Sequence, residues 1–395
     1  MQRLNIHRLV LAALLSTLTA LGAAAPYRPQ SDQQVLEKLP ARAADPRMRE
    51  LNDLRHQLQA SPQDLGVAVR LARRYYEQVA AEGDPRYIGY AQAAMAPWWN
   101  LADPPVQARV MRAIILQFGH QFDAALADLD AALRADPGNG EAWAWRAAIS
   151  MVQAHYPEAR GACAQLRQHA SALIGTACEA YVDSVTGKAA AAAEAIRSAL
   201  RQSPQASPGE QLWVLTRLAE IEARRGKPVQ AEEAYKAALA LRLDDGYLLA
   251  AYADFLLDRQ RPAEVLALLK DSTRSDLLLL RLALAAKALN AAPRAGWEHD
   301  LAARFDAARL RGDKLHQKEE ARFELELRGQ APKALALARE NYTLQREPAD
   351  ARILLEAALA AHQPDAAEPV LKWMAASGIE SAALNTLAHQ LRGGK

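Results

Sequence analysis

The sequence predicts an all-α solenoid, in which roughly eight to nine antiparallel helix pairs stack side by side. Three observations lead to this fold class. Hydrophobic residues make up 51% of the chain but aromatic residues only 6%, and the apolar content is mostly alanine and leucine, which are strong helix formers. Alternating runs of β-branched residues, the usual sign of strands, are scarce. Small residues also recur at a spacing of 34 positions in the middle of the chain.

The first 24 residues predict a secretory signal peptide. Arg3 and Arg8 give a positive start, and Leu9–Gly22 is an apolar run followed by small residues. As a helix this run would rise only about 21 Å, which is short of the hydrocarbon core of a membrane. We therefore expect cleavage after Ala24 and a periplasmic or secreted protein. Residues 25–45 are polar and contain proline, which predicts a flexible leader.

Charge and hydropathy favour neither a nucleic-acid partner nor insertion into a membrane. Loss of the signal peptide removes two basic residues, so 48 Lys and Arg become 46, against 46 Asp and Glu. A formally neutral chain lacks the basic excess usual in nucleic-acid-binding proteins, and no nucleic-acid partner is predicted. The most apolar later stretch, 277–288, is interrupted by Arg281 and Lys287. No stable membrane insertion is therefore predicted after signal cleavage.

The repeat is clearest in residues 106–139, counted from position 1. Small residues stand at positions 8, 20 and 27, leucine at 24 and proline at 32, namely Ala113, Ala125, Ala132, Leu129 and Pro137. Residues 140–173 and 212–245 keep alanine at positions 8 and 20, and residues 246–271 keep alanine at 8 with valine at 20. Residues 173–206 fit less cleanly, with alanine at 8, 20 and 27 before a segment rich in serine and proline. Small side chains at fixed positions let two helices approach closely, and proline ends the second helix.

These residues resemble the tetratricopeptide repeat, most closely in the strings Phe122–Leu126, Ala131–Pro137 and Ala237–Leu241. The resemblance is strong over the core repeats 106–271. It is weaker over 46–105, interpreted as an N-terminal cap helix and a divergent unit. It is also weaker over 272–395, interpreted as divergent units and a C-terminal capping helix; terminal repeats are expected to be atypical because one side faces water. Together with the signal peptide, the resemblance implies an exported bacterial protein of this family.

The resemblance also implies a working surface. In tetratricopeptide folds the first helix of each unit lines the concave face through positions 2, 5, 9 and 12. In the better-matching units these positions include Gln107, Val110, Gln117, Glu141, Trp213, Glu220, Tyr247 and Asp254. We predict partner contacts at Gln117, Trp213, Glu220, Tyr247 and Asp254. Trp213 and Tyr247 stand at position 2 of consecutive units and would suit a docked peptide or helix; the alternative is that both pack against a neighbouring loop.

Two cysteines, Cys163 and Cys178, are candidates for a disulfide. An exported protein meets an oxidising compartment, where disulfides persist. If the turn between their helices lies near Ser171, the two positions are at nearly equal height on antiparallel neighbours, so a bridge is sterically possible. Position 24 normally faces the repeat interior, where cysteine also serves as a small buried apolar residue. Both interpretations stay open.

No motif predicts catalysis, a cofactor or a metal site. His316, Glu319 and Glu320 place possible ligands three or four residues apart, but the spacing is not that of a zinc-binding helix, and a solvated charged face is the simpler interpretation. We predict a non-catalytic scaffold in the bacterial envelope that binds protein or peptide segments along the concave face. Two alternatives remain: an assembly factor for an envelope or exopolysaccharide export system, and an enzyme of unrecognised type around those three residues.

Overall fold

The structure is a computed structural model that describes residues 46–313 and 315–393. The chain divides into two units, Met1–Glu50 and Leu51–Lys395. Of the first unit only residues 46–50 are described, and they begin helix α1 (Pro46–Ala60). The predicted signal peptide and leader, residues 1–24 and 25–45, lie outside the described residues. Within the described part of the second unit every regular element is a helix, so the predicted all-α class is confirmed.

From Leu65 onwards the described helices form nine consecutive pairs and a closing helix. The first five pairs are α2 (Leu65–Glu82) with α3 (Arg86–Ala94), followed by the short α4 (Ala96–Trp99); α5 (Val106–Phe118) with α6 (Phe122–Ala135); α7 (Gly140–Val152) with α8 (Tyr156–His169); α9 (Ala172–Ser184) with α10 (Ala189–Gln202); and α11 (Pro208–Arg224) with α12 (Pro228–Ala240). The later pairs are α13 (Gly246–Asp258) with α14 (Pro262–Leu269); α15 (Asp276–Leu289) with α16 (Arg294–Leu310); α17 (Gln317–Arg322), which continues in a π-helical turn (Phe323–Leu327), with α18 (Ala331–Leu344); α19 (Pro348–Ala360) with α20 (Glu368–Ser377); and the closing α21 (Ala382–Leu391).

Small residues bring the two helices together in the pairs that best match the repeat. Ala113 of α5 and Ala125 of α6 are both fully buried, as are Ala219 of α11 and Ala231 of α12. A methyl group at these positions lets the helix backbones approach, so the larger residues beside them fill the remaining space without voids.

The turn inside each core pair has one repeated geometry. The residue at position 15 adopts a left-handed backbone in five units: His120, Ala154, Gly187, Gly226 and Gln260, with φ between 55° and 80°. The next residue donates its N–H back to the carbonyl of position 11, as Ala154 illustrates: the N–H of His155 reaches Ser150 O at 2.8 Å. Such a bond satisfies a carbonyl that the helix end leaves without a partner.

In several of the pairs, a polar side chain caps the N-terminus of the first helix. The side chains of Asn139, Ser171, Ser207 and Asp245 each accept a hydrogen bond from a backbone N–H in the following turn. Ser207 also exchanges bonds with Glu210 in a capping box. This cap explains why α11 begins at Pro208, before the unit boundary predicted at 212.

The last helix pairs pack against earlier ones. A single apolar cluster combines side chains from 147–185 with side chains from 321–384, including Met151, Leu166, Leu354 and Val370. The backbone N–H of Arg346 donates to Val152 O at 2.7 Å. Helices α17–α21 therefore lie against α7–α9 and do not simply extend the row of pairs.

The first pair also meets a later one. Gly83, which ends α2 with φ at 70°, lies so close to Ser275 that an added Cβ would stand 2.4 Å from its Oγ. Ser275 is the residue before α15. Within the second unit, the row of pairs therefore curves until its beginning contacts its sixth and seventh pairs.

Candidate interaction surface

The first helices of consecutive pairs lie side by side, and Arg217 of α11 shows how they are joined. Its Nη1 donates to Tyr181 Oη of α9 at 3.2 Å and to Tyr247 Oη of α13 at 3.1 Å. The guanidinium also lies over both rings, 5.0 Å and 4.5 Å from their centroids, in the geometry of a cation–π contact. Three first helices thus share one continuous face.

Glu220 completes this cluster and holds its charge in place. Its carboxylate accepts a 2.5 Å hydrogen bond from Tyr247 Oη and lies 2.9 Å from Arg217 Nη1. Burial alone would lower the pKa of Arg217, but Glu220 and the two tyrosines raise it well above its ordinary value. Arg217 therefore stays charged although only 9% of it is exposed.

The carboxylate of Asp254, further along the same face, is paired with two arginine side chains. Arg281 donates to its carboxylate at 2.6 Å and 3.1 Å, and Arg322 at 2.5 Å. Burial alone would raise the pKa of Asp254, but these guanidiniums hold it well below its usual range. The predicted contact residue is thus an ion-pair partner that joins α13, α15 and α17.

The other predicted contact residues differ in their exposure to solvent. Gln117 donates its side-chain N–H to Tyr76 Oη at 3.0 Å and is half-buried. Trp213 is half-buried against the apolar cluster of the fourth to seventh pairs. Tyr247 is 45% exposed. Of the five predicted contacts, Tyr247 therefore presents the largest exposed fraction.

The start of α19 lies against the C-terminal ends of several first helices. Glu347 faces Tyr181 Oη at 3.5 Å, Gln345 contacts the His120 ring at 3.0 Å, and Arg352 pairs with Asp258 at 2.7 Å and 2.8 Å. Burial and the neighbouring carboxylate of Asp350 raise the pKa of Glu347. One end of the predicted concave face is therefore occupied by the chain itself.

The opposite end of the first helices borders a cavity of about 380 Å³, here named the N-terminal groove. Its walls come from the N-terminal halves of α2, α5 and α7 and from the cap residue before α7: Gly66, Val69, Arg70, Arg73, Gln107, Val110, Asn139 and Glu141. Gln107, Val110 and Glu141 occupy positions 2, 5 and 2 of their units, where the resemblance places the concave face. The groove thus lies on the predicted surface, at the end that α19 leaves uncovered.

Cys163 of α8 and Cys178 of α9 are joined in a disulfide, with their Cα atoms 5.5 Å apart. Both residues are buried. The bridge ties the second helix of one pair to the first helix of the next. It lies within the apolar cluster that receives the last helix pairs.

His316, Glu319 and Glu320 do not converge on a pocket. Glu320 is buried and lies 3.2 Å from Arg309 Nε and 3.4 Å from Lys333 Nζ, so the solvated charged face expected from the sequence is wrong for this carboxylate. Burial alone would raise the pKa of Glu319, but Lys318, Arg281 and His316 lower it, so this carboxylate belongs to an internal ion cluster. The described residues hold no group of three or more His, Cys, Asp or Glu side chains placed to bind a metal ion. No described helix combines the length and apolar character needed to cross a membrane.

Sequence reasoning missed several residues of this surface. Tyr181 occupies position 9 of the unit 173–206, so the same positional rule applied to that weaker unit would have found it. Arg70 and Arg73 lie in the divergent first unit, where no reliable register was available. Glu347 comes from a distant pair, and no local signal indicates where it packs.

No protein-family profile and no curated protein matches the sequence. Among solved structures, the crystal structure of yeast Tom70 aligns with 88% of this chain and 62% of its own, at 16% identity and a TM-score of 0.36. The TPR domain of P58(IPK) aligns with 87% of this chain and 97% of its own, at 14% identity and a TM-score of 0.22. The chain thus spans 62% of the Tom70 chain. With both TM-scores below 0.5, the fold assignment rests on the helix pairs themselves.

Proposed function

We propose that this chain is a non-catalytic scaffold that binds segments of other proteins along the face formed by its first helices. The observation that carries the proposal is the shared face of α9, α11 and α13, which Arg217 joins and on which Tyr247 stays 45% exposed. A row of parallel helices offers a partner a continuous surface, and an exposed tyrosine is a common anchor in protein interfaces.

The interior ion pairs favour a rigid surface over a reactive one. Arg217, Glu220 and Asp254 are all engaged by other side chains of the same chain, so they fix the positions of neighbouring helices. Among the predicted contacts, Tyr247 and Trp213 are the aromatic contacts, and Glu220 and Asp254 position the helices that bear them. Gln117 joins α5 to α2 through its bond to Tyr76.

A photo-reactive residue tests this surface directly. We suggest benzoylphenylalanine in place of Tyr247, in cells that produce the full chain, with the same residue in place of Val229 as the control. Val229 is 63% exposed and lies on the neighbouring second helix α12. Irradiation should give a protein-sized adduct from position 247 and none from position 229.

Two results would count against the proposal. Adducts of equal yield from both positions would show that exposure alone governs cross-linking. A folded protein with no adduct from position 247 would remove Tyr247 from the contact surface. Circular dichroism of each variant establishes that it is folded.

We further propose that the protein is exported and works in the bacterial envelope. The charged start, the apolar run Leu9–Gly22 and the small residues up to Ala24 support this proposal, and a disulfide is suited to an oxidising compartment. Mass measurement of the protein purified from a periplasmic extract should give a chain beginning at Ala25. Recovery of the intact chain from the cytosol alone would contradict export.

A further inference from the structure

The N-terminal groove has one side lined by a single face of α2. Gly66, Val69, Arg70 and Arg73 follow one another at intervals of three, one and three residues, which places them on one helical stripe. Val110 of α5 is almost fully buried and contributes an apolar surface beside Val69. At about 380 Å³ the cavity is within the range of ligand-binding clefts.

Most polar groups around the groove already have partners. Arg73 forms a two-pronged ion pair with Glu141, at 2.5 Å and 2.8 Å. Asn139 accepts from the backbone of Ala142 and donates to Asp136. Asp64, the cap of α2, accepts from the N–H of Val67 at 3.0 Å.

Two polar side chains of the groove, Arg70 and Gln107, differ from these. Among the described residues, the guanidinium of Arg70 takes part in no ion pair or hydrogen bond, and the amide of Gln107 takes part in no hydrogen bond. Both side chains are exposed and line the groove. The Arg73–Glu141 pair is neutral, so among the charged side chains that line the groove Arg70 is the one that lacks a partner, and it lies beside the apolar side chains of Val69 and Val110.

We infer that the N-terminal groove binds an acidic segment of a partner protein, with a side-chain carboxylate of that segment on Arg70. A guanidinium recognises a carboxylate through charge and paired N–H donors. The amide of Gln107 is placed to bond the main chain of the segment, and Val69 and Val110 take an apolar neighbour of the acidic residue. This inference rests on the proposed scaffold role and names the chemical class of the partner.

A set of three peptide libraries tests the inference on the mature full chain. The libraries share random flanking positions and an amidated C-terminus, and they differ only in a central Glu, Gln or Lys. The amide cap ensures that only side-chain carboxylates are compared. Binding of each fluorescent library is measured for the natural protein, Arg70→Glu and Arg328→Glu; Arg328 is an exposed arginine far along the sequence, and its reversal changes net charge equally.

The natural protein and Arg328→Glu should bind the Glu library several-fold better than the Gln library. Arg70→Glu should reverse the order and favour the Lys library, because a partner charge that faces its own sign is repelled. The preference for Glu should weaken as salt rises, since an exposed ion pair is screened.

Three results would overturn the inference: equal binding of all libraries, a Glu preference that survives Arg70→Glu, or complete displacement of the Glu library by an equal concentration of inorganic phosphate. The last would indicate a site for free anions. If position 247 still cross-links to a protein while the libraries show no Glu preference, the scaffold role stands and only the acidic partner is wrong. If neither experiment gives binding, both proposals fail.

Discussion

The indole Nε1 of Trp373 donates a 2.9 Å hydrogen bond to the hydroxyl oxygen of Tyr156, although 217 residues separate them in the sequence. Trp373 lies on α20, and Tyr156 is the first residue of α8. Nearby, the carboxylate of Glu380 accepts from the backbone N–H of Ala189 at 2.9 Å. The last helix pairs are thus attached to the turns within the third and fourth pairs by specific polar contacts as well as by apolar packing.

Removal of the Trp373–Tyr156 bond should weaken this attachment. Tyr156→Phe leaves the indole N–H without its acceptor, and a typical hydrogen bond contributes about 0.5–1.5 kcal/mol to the free energy of unfolding. Urea unfolding of Tyr156→Phe, Trp373→Phe and the double variant should give a coupling energy of about 1 kcal/mol. Strictly additive effects would show that the bond does not hold the two regions together.

The helix pairs could be predicted because the residues that define each pair lie close together in the sequence. Ala113 and Ala125 face each other within one pair, and their spacing in the sequence follows from the lengths of two helices and a turn. The packing of α19–α21 on α7–α9 depends on residues such as Tyr156 and Trp373, which no spacing rule connects. The same limit applies to the interaction surface. The positions of Glu220 and Asp254 followed from the repeat, but their intramolecular partners Arg217, Arg281 and Arg322 did not.

The Cys163–Cys178 disulfide should be detectable and stabilising. The bond closes a loop with a sequence separation of 15 residues, and restriction of the unfolded chain by such a loop contributes on the order of 3 kcal/mol. Denatured protein treated with an alkylating reagent should gain mass only after reduction, and the double variant Cys163→Ala, Cys178→Ala should unfold at lower urea. Alkylation of both thiols without a reductant would contradict the bridge.

The left-handed turn at Ala154 offers a stabilising substitution. Ala154 has φ at 60°, whereas the equivalent positions in the next two units are glycines, Gly187 and Gly226. A Cβ disfavours this backbone, so Ala154→Gly should raise the free energy of unfolding by about 0.5–1 kcal/mol despite the added freedom of the unfolded chain. The control is Ala164→Gly, at an exposed position inside α8. This substitution should lower the free energy of unfolding by a similar amount. Two changes of the same sign would refute the explanation.

Glu232 should make a contribution to stability that depends on pH. Hydrogen bonds from Arg261 and Lys236 lower the pKa of Glu232 to about 2, with Arg261 Nη1 and Nη2 at 2.8 Å and 2.9 Å. Because the folded-state pKa lies below that of the unfolded chain, the stabilisation is present above about pH 4.5 and is lost as the pH falls towards 2.

The expected size of this stabilisation follows from the position of the Glu232–Arg261 pair near the surface. Solvent screening limits such a pair to roughly 0.5–1 kcal/mol. Urea unfolding at several pH values should show that Glu232→Gln is less stable than the natural protein by about this amount at pH 7, and that the difference shrinks below pH 4.5. The neighbouring exposed Glu233 undergoes the same charge change as Glu233→Gln and serves as the control. If the two variants have the same stability at every pH, the bonds from Arg261 do not stabilise the fold.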